Sequence, residues 1–151
     1  MAQKLWNTDE QLFAIARKEL FTCVVGDVMD KMGLQHQFLP PQIHPLREDM
    51  VVIGRAMPVL SVDVFTEKIV GTANKFKLME KSFGLMLEAL DDLHPNEIYP
   101  NTGSSPRHAL WGELMSTRAW KLGSGGAVLN GYVRDTKAIL RMSFPTFAWE
   151  S

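Results

Sequence analysis

A chain of 151 residues, 46% hydrophobic and 22% charged, has the make-up of one globular domain with a sizeable core. A formal net charge of −1, with Lys and Arg scattered along the chain, provides no basic stripe for nucleic acid. No apolar run approaches the roughly 18 residues of a membrane span, and Met1-Ala2-Gln3-Lys4 opens no secretory leader, so a cytoplasmic location is expected.

Thr8-Asp9-Glu10-Gln11 has capping-box spacing, and Leu12, Ile15, Ala16 and Leu20 continue it as a helix. A second helix is expected over Val24 to Met32, stopped by Gly33 as a left-handed cap. Cys23, the single cysteine, can form no disulfide within the chain and reads as a small buried hydrophobe. Beyond the irregular Pro40-Pro41 and Pro45 stretch, Val51 to Met57 reads as a buried strand and Val59 to Phe65 as a further one. Asn74 to Leu90 carries Phe76, Met79, Phe83, Met86, Leu87 and Leu90, an amphipathic helical pattern. Glu97-Ile98-Tyr99 is a short strand followed by a loop from Asn101 to Arg107. A helix over Glu113 to Leu122, the strand Ala127-Val128-Leu129, a helix over Thr136 to Met142 and a strand near Phe144 to Trp149 complete the chain. Helices alternating with strands indicate an α/β domain.

The residues with most chemical content are Gly112-Glu113-Leu114-Met115 and Arg134-Asp135. Nine helical rises carry the chain about 14 Å out. Five strand rises bring it roughly 17 Å back. An out-and-back path of matched length sets Arg134 and Asp135 beside Glu113. One fixed cation and two carboxylates at a helix start could hold an anion and a hard divalent metal. Two local signals compete with this reading. Asn130-Gly131 between apolar residues also suits a type I′ hairpin, which could aim Arg134 or Asp135 away from Glu113. Ser105-Pro106 is a good N-cap and first-turn pair, and a helix starting there would use up the amides of Gly112 to Met115. Composition and spacing are equally compatible with a surface Arg-Asp pair and a first-turn Glu113 that merely complements the helix dipole.

Other chemistries fare worse. Gly123-Ser124-Gly125-Gly126 leads from helix to strand, the wrong order for a dinucleotide loop. Ser104, Ser105 and His108 lack the G-x-S-x-G nucleophile motif. His36, His44, His94 and His108 have no zinc-ligand spacing. Asp27 and Asp30 read as a solvated helix face.

From Thr22 to Phe147 the chain resembles the RraA-like family, which contains the class II 4-hydroxy-4-methyl-2-oxoglutarate aldolases and the regulators of ribonuclease activity A. The likeness is carried by Val25-Gly26-Asp27-Val28-Met29-Asp30-Lys31-Met32-Gly33, Ile53-Gly54-Arg55-Ala56, Gly112-Glu113-Leu114-Met115, Gly125 through Asp135, and Phe144-Pro145-Thr146-Phe147. An acidic residue, twenty residues and then Arg-Asp is the aldolase signature. Glu113 and Arg134-Asp135 fill it, with Glu where Asp is frequent.

The resemblance implies a single domain over 1–151, with N-terminal helices in 8–33 and the sheet and site in 50–149. Its implied fold is a three-layer β/β/α arrangement like a swivelling phosphohistidine domain, in homotrimers or dimers of trimers with sites between subunits. It implies that Asp135 binds Mg²⁺ or Mn²⁺, that Glu113 holds metal-bound water, and that Arg134 and the amides of Gly112, Glu113, Leu114 and Met115 grip a pyruvyl carboxylate. The implied activity is retro-aldol cleavage of a 4-hydroxy-2-oxo acid, or decarboxylation of oxaloacetate, through a pyruvate enolate. The alternatives are a non-catalytic regulator that binds RNase E or a similar protein, and a degenerate oligomer partner. Family members continue through further strands where this chain reaches Ser151, so a C-terminally short version is expected, lacking an acidic residue that the aldolases donate to the neighbouring subunit's site.

Overall fold

The computed structural model describes residues 5–63, 75–76, 81–82 and 85–149. The chain divides into two compact units, Met1–Pro41 and Gln42–Ser151.

In the first unit, helix α1 (Asp9–Glu19) starts at the expected cap, with the Gln11 N–H donating to Thr8 Oγ1 at 3.4 Å. Gln11 reaches back one residue further than a capping box requires, accepting the Asn7 N–H at 2.8 Å. Helix α2 (Thr22–Lys31) ends at Met32 and Gly33, whose φ of 76° is the left-handed closure foreseen. The N–H groups of Leu34 and Gly33 return to the carbonyls of Met29 and Asp30 at 2.9 and 3.0 Å, satisfying two otherwise orphaned acceptors. The ring of Phe38 lies directly on Gly26, where any Cβ would collide with it. Cys23 is exposed, contrary to the expectation of burial, because α2 turns Gly26 and not Cys23 inward. Cys23→Ser should therefore shift stability by no more than about 0.5 kcal/mol, read as an unchanged melting curve.

The second unit is built on one sheet. Its strands are β1 (His44–Pro45), β2 (Arg55–Ala56), β3 (Val59–Leu60), β6 (Glu97–Thr102), β8 (Gly126–Leu129) and β10 (Thr146–Ala148). They lie in the order β1-β10-β8-β6-β2, and β3 also pairs with β6. All the pairings are parallel except that of β1 with β10. Parallel neighbours need crossovers, and the helices α4 (Glu113–Lys121) and α5 (Thr136–Met142) fall within them.

The expected strand over Val51 to Met57 shrinks to β2, and Val51 is 60% exposed. Pro58 has no N–H to give a ladder, so β2 and β3 are two short pieces of one edge. They keep a common register on β6, with Arg55 opposite Glu97 and Val59 opposite Asn101. Residues 64–65 of the second expected strand lie outside the described residues. Between Asn74 and Leu90 the reading needs correction. Strands β4 (Lys75–Phe76) and β5 (Lys81–Ser82) pair antiparallel, and the helix, α3, covers only Leu85–Asp91. A short apolar series at i, i+3 and i+4 does not separate helix from strand by itself, and here Lys75–Phe76 and Lys81–Ser82 are strands. Residues 74, 77–80 and 83–84 of that span lie outside the described residues.

Strand β1 (His44–Pro45) falls in the stretch read as irregular, and a further strand has no counterpart in the sequence reading. Strand β7 (Ala109–Trp111) pairs in parallel with β9 (Tyr132–Val133) as a separate two-stranded sheet. The chain therefore leaves the main sheet at the end of β8 and enters the second one at Asn130-Gly131. The hairpin reading fails because a type I′ turn needs positive φ at both central residues, and neither Asn130 nor Gly131 has it. Asn130 instead ties three strand ends together. Its Nδ2 donates to Thr102 Oγ1 at 2.9 Å, and its Oδ1 accepts the Trp149 indole N–H at 3.1 Å. With five helices and three sheets among the described residues, the fold is the mixed α/β arrangement expected, and its core joins Tyr99, Trp111, Leu129, Ile139 and Phe144, all at most 1% exposed.

Candidate functional site

Strands β7 and β9 run side by side in the same direction, so the loops that follow them emerge together. The loop after β7 is Gly112, which opens α4. The loop after β9 is Arg134-Asp135, which opens α5. The backbone closes the pair, with the Arg134 N–H donating to the Trp111 carbonyl at 3.0 Å. Helix α4 thus begins at Gly112 and not at Ser105-Pro106, because Ala109 to Trp111 are committed to a strand.

Gly112 is extended, at φ −166° and ψ −173°, and has no side chain with which to cap the helix. The carboxylate of Asp135 takes that role from the neighbouring loop, accepting the Glu113 N–H on Oδ2 at 3.3 Å. The amides of Leu114 and Met115, in the first turn, have no acceptor within α4. Asp135 holds the N-cap position of α5 without capping it, in the left-handed region at φ 59° and ψ 31°. Asp is among the few side chains that tolerate this conformation, which His36, Asn96 and Ser143 also adopt.

Close approach at Gly112 makes the arrangement possible. A Cβ there would lie 2.9 Å from Asp135 Oδ2, 3.1 Å from Arg134 Cγ and 3.2 Å from Arg134 Nε. The Arg134 Nε to Asp135 Oδ2 separation is 3.7 Å, between side chains 74% and 45% exposed. An exposed pair at that distance contributes little. Among the described residues Arg134 pairs with Asp135 alone, so most of its donor fork faces solvent. Glu113 and Leu114 are exposed, whereas Gly112 and Met115 are buried, so Gly112 and Met115 can serve a ligand through the backbone and not through side chains.

One cation and two carboxylates leave the cluster at a formal charge of −1, beside the positive end of α4. A dication together with a monocarboxylate would bring it to neutrality. Among the described residues no group of three or more His, Cys, Asp or Glu side chains gathers to hold a metal. Two carboxylates do suit Mg²⁺ or Mn²⁺ completed by water and ligand oxygens, because such ions are commonly held by one or two protein carboxylates. They do not suit a closed zinc site.

Sequence reasoning missed the support beneath the loops. Trp111 is 1% exposed, stacks on Phe144 at a 6.3 Å centroid distance and meets Tyr99 at 4.9 Å. Its indole N–H donates to Ser116 Oγ at 2.6 Å. The Leu110-Trp111 apolar pair was the only available hint of a strand here. Nothing in the sequence marked Ser116.

The fold and these paired loops define a mixed α/β domain that gathers one guanidinium and two carboxylates where two parallel strands end. The chain belongs to the RraA-like family, whose model, described as Aldolase/RraA, matches residues 22–151. That family includes both aldolases and regulators of RNase E. Among solved structures, one described as novel cellulases from microbes associated with the gut ecosystem superposes with a TM-score of 0.77 at 28% identity, covering 99% of this chain and 62% of that one. The RNase ES inhibitor family member RraAS2 of Streptomyces coelicolor gives a TM-score of 0.71 at 16% identity, covering 95% of this chain and 65% of that one. The RNA-processing inhibitor RraA from Thermus thermophilis gives 0.57 at 23% identity, covering 81% and 63%. At those two identities the likeness concerns the fold alone. The chain spans between 60% and 65% of the length of these three structures and of a fourth, an uncharacterized protein from Pseudomonas syringae. No curated protein matches the chain. No helix among the described residues is long and apolar enough to cross a membrane.

Proposed function

We propose that the chain is a divalent-metal-dependent lyase of 2-oxo acids, with pyruvate as the common product. The observation that carries this reading is the approach of Asp135 and Arg134 to the first residues of α4, with Asp135 Oδ2 on the Glu113 amide at 3.3 Å. A regulator that only docks on another protein has no need of a carboxylate in a left-handed conformation beside an exposed guanidinium.

Asp135 would hold Mg²⁺ or Mn²⁺, and the ion would supply a positive charge at the 2-oxo group of the substrate. Arg134 presents a planar fork suited to two-point contact with the pyruvyl carboxylate. The amides of Leu114 and Met115 and the dipole of α4 add donors aimed at the same anion. Glu113, exposed at the helix start, would order water there. Cleaving the C3–C4 bond of a 4-hydroxy-2-oxo acid, or losing CO₂ from oxaloacetate, leaves the same pyruvate enolate. Negative charge that develops on the enolate oxygen would then lie beside the positive groups gathered here. No lysine is needed to form a Schiff base. The protein is further proposed to work as a cytoplasmic homo-oligomer, with no nucleic-acid or membrane partner.

The test is pyruvate release from oxaloacetate and from 4-hydroxy-4-methyl-2-oxoglutarate with Mg²⁺ or Mn²⁺, repeated in EDTA. Release that EDTA abolishes and added Mg²⁺ restores is the expected result. No release from folded protein, with or without metal, overturns the lyase reading in favour of a regulator or a degenerate oligomer partner.

A further inference from the structure

The Asp135 carboxylate accepts the backbone N–H of Glu113, and this N–H belongs to the same peptide unit as the Gly112 carbonyl. Because a trans peptide is planar, fixing the carbonyl on one side fixes the N–H on the other. The Gly112 carbonyl accepts two hydrogen bonds, from the Ser116 N–H and from the Ser116 hydroxyl, both at 3.0 Å. The first is the ordinary closing bond of a helical turn. The second is an addition that Ser116 makes only in one rotamer. That rotamer is set from below, because Ser116 Oγ also accepts the Trp111 indole N–H at 2.6 Å.

The two inner side chains of this relay are sealed from water. Ser116 is 0% and Trp111 1% exposed, so neither bond competes with solvent, and a partner left unpaired there has nowhere else to turn. Both lone pairs of the Gly112 carbonyl are used, and the hydroxyl both donates and accepts. Trp111 also controls the opposite side of the cluster, since its carbonyl accepts the Arg134 N–H at 3.0 Å. A buried aromatic residue thus holds the backbones of both loops from beneath.

We infer that Trp111 and Ser116 are positioning residues for Asp135. The relay from the Trp111 indole through the Ser116 hydroxyl to the Gly112 carbonyl orients the Gly112–Glu113 peptide, whose N–H holds the Asp135 carboxylate in its ligand-binding pose. Neither residue touches a ligand. Their use in metal binding rests on the reading proposed above, whereas their hold on the Glu113 amide does not.

The experiment separates the two. Ser116→Ala removes the hydroxyl, and Trp111→Phe removes the indole N–H while keeping an aromatic ring. Exchange of the Glu113 amide is followed by NMR in metal-free protein, with the β8 amides of Val128 and Leu129 as internal controls. The affinity for Mn²⁺ alone is then measured by titration, without substrate. In Ser116→Ala, Glu113 exchange should accelerate while the β8 amides stay unchanged. The Mn²⁺ dissociation constant should rise about tenfold, the lower end of what loss of an outer partner of a metal ligand costs. Trp111→Phe should move both quantities in the same direction by less. An unchanged Glu113 rate in both folded variants overturns the inference whatever the metal does. Accelerated exchange with unaltered Mn²⁺ affinity overturns the positioning of Asp135 as a ligand. Wild-type protein that binds no Mn²⁺ counts against the metal reading of the site, and the exchange rates still decide whether the relay holds the Glu113 amide.

Discussion

Replacing Asp135 should remove metal-dependent pyruvate release, by about 10³-fold if the ion contributes roughly 4 kcal/mol to the barrier. The choice of substitution matters because Asp135 sits at φ 59°. Alanine in that conformation adds a backbone cost of roughly 1–2 kcal/mol, so Asp135→Ala should lower the melting temperature as well as the activity. Asn tolerates the left-handed region and retains an oxygen to accept the Glu113 N–H. Asp135→Asn should therefore melt close to the wild type and still lose nearly all metal-dependent turnover. Turnover with a Mg²⁺ dependence like the wild type in Asp135→Ala would show that the ion is held elsewhere. A matched fall of activity and stability in both variants would make Asp135 a loop-closing residue and nothing more.

The parts of this site that the sequence disclosed are those set by local rules. Gly33 ends α2 as the preceding periodicity and its own freedom at positive φ require. The segment from Glu113 to Lys121 forms a helix on its apolar spacing, and the interval to Arg134 matches an out-and-back path. The parts that stayed hidden depend on which sheet a strand joins. Asn130-Gly131 is a strong local turn signal, yet pairing with β7 across twenty residues outweighs it and turns the dipeptide into a passage between sheets. Strand β7 is only three residues long, too short to show an alternation, so the start of α4 could not be fixed until its partner was known. The β4–β5 pair displaced a helical pattern for a similar reason, since a short apolar run around Phe76 is as compatible with a strand as with one helical face. The Trp111 to Ser116 bond had no signal at all. It joins two residue types with no pairing rule in sequence, and only the geometry makes them partners.

Gly112→Ala should leave the fold standing and damage the site, a combination that few single methyl groups produce. The backbone at Gly112 is extended, a conformation any residue adopts, so the substitution carries no intrinsic strain. All of its effect comes from what the new Cβ meets, and the nearest atom is Asp135 Oδ2 at 2.9 Å, followed by Arg134 Cγ at 3.1 Å. Both belong to side chains at least 45% exposed, which can swing away into solvent at small cost. Stability should fall by less than about 1 kcal/mol. The groups that move are nonetheless those that would hold the ion and the carboxylate, and a misplacement approaching 1 Å costs a catalytic arrangement as much as 10²-fold. The expected result is a loss of pyruvate release of about 10- to 100-fold, with a weaker apparent affinity for Mn²⁺. Gly126→Ala provides the contrast. There φ is 146°, and a Cβ would lie 2.6 Å from the Pro145 carbonyl oxygen and 2.7 Å from Val52 Cγ1, in the packed layer between β8 and β10. That variant should lose stability first, and activity only as it unfolds. If Gly112→Ala instead melts early while the folded fraction keeps full metal-dependent activity, Gly112 serves the packing of α4, and the approach of Arg134 and Asp135 to it is a consequence of the fold without chemical use.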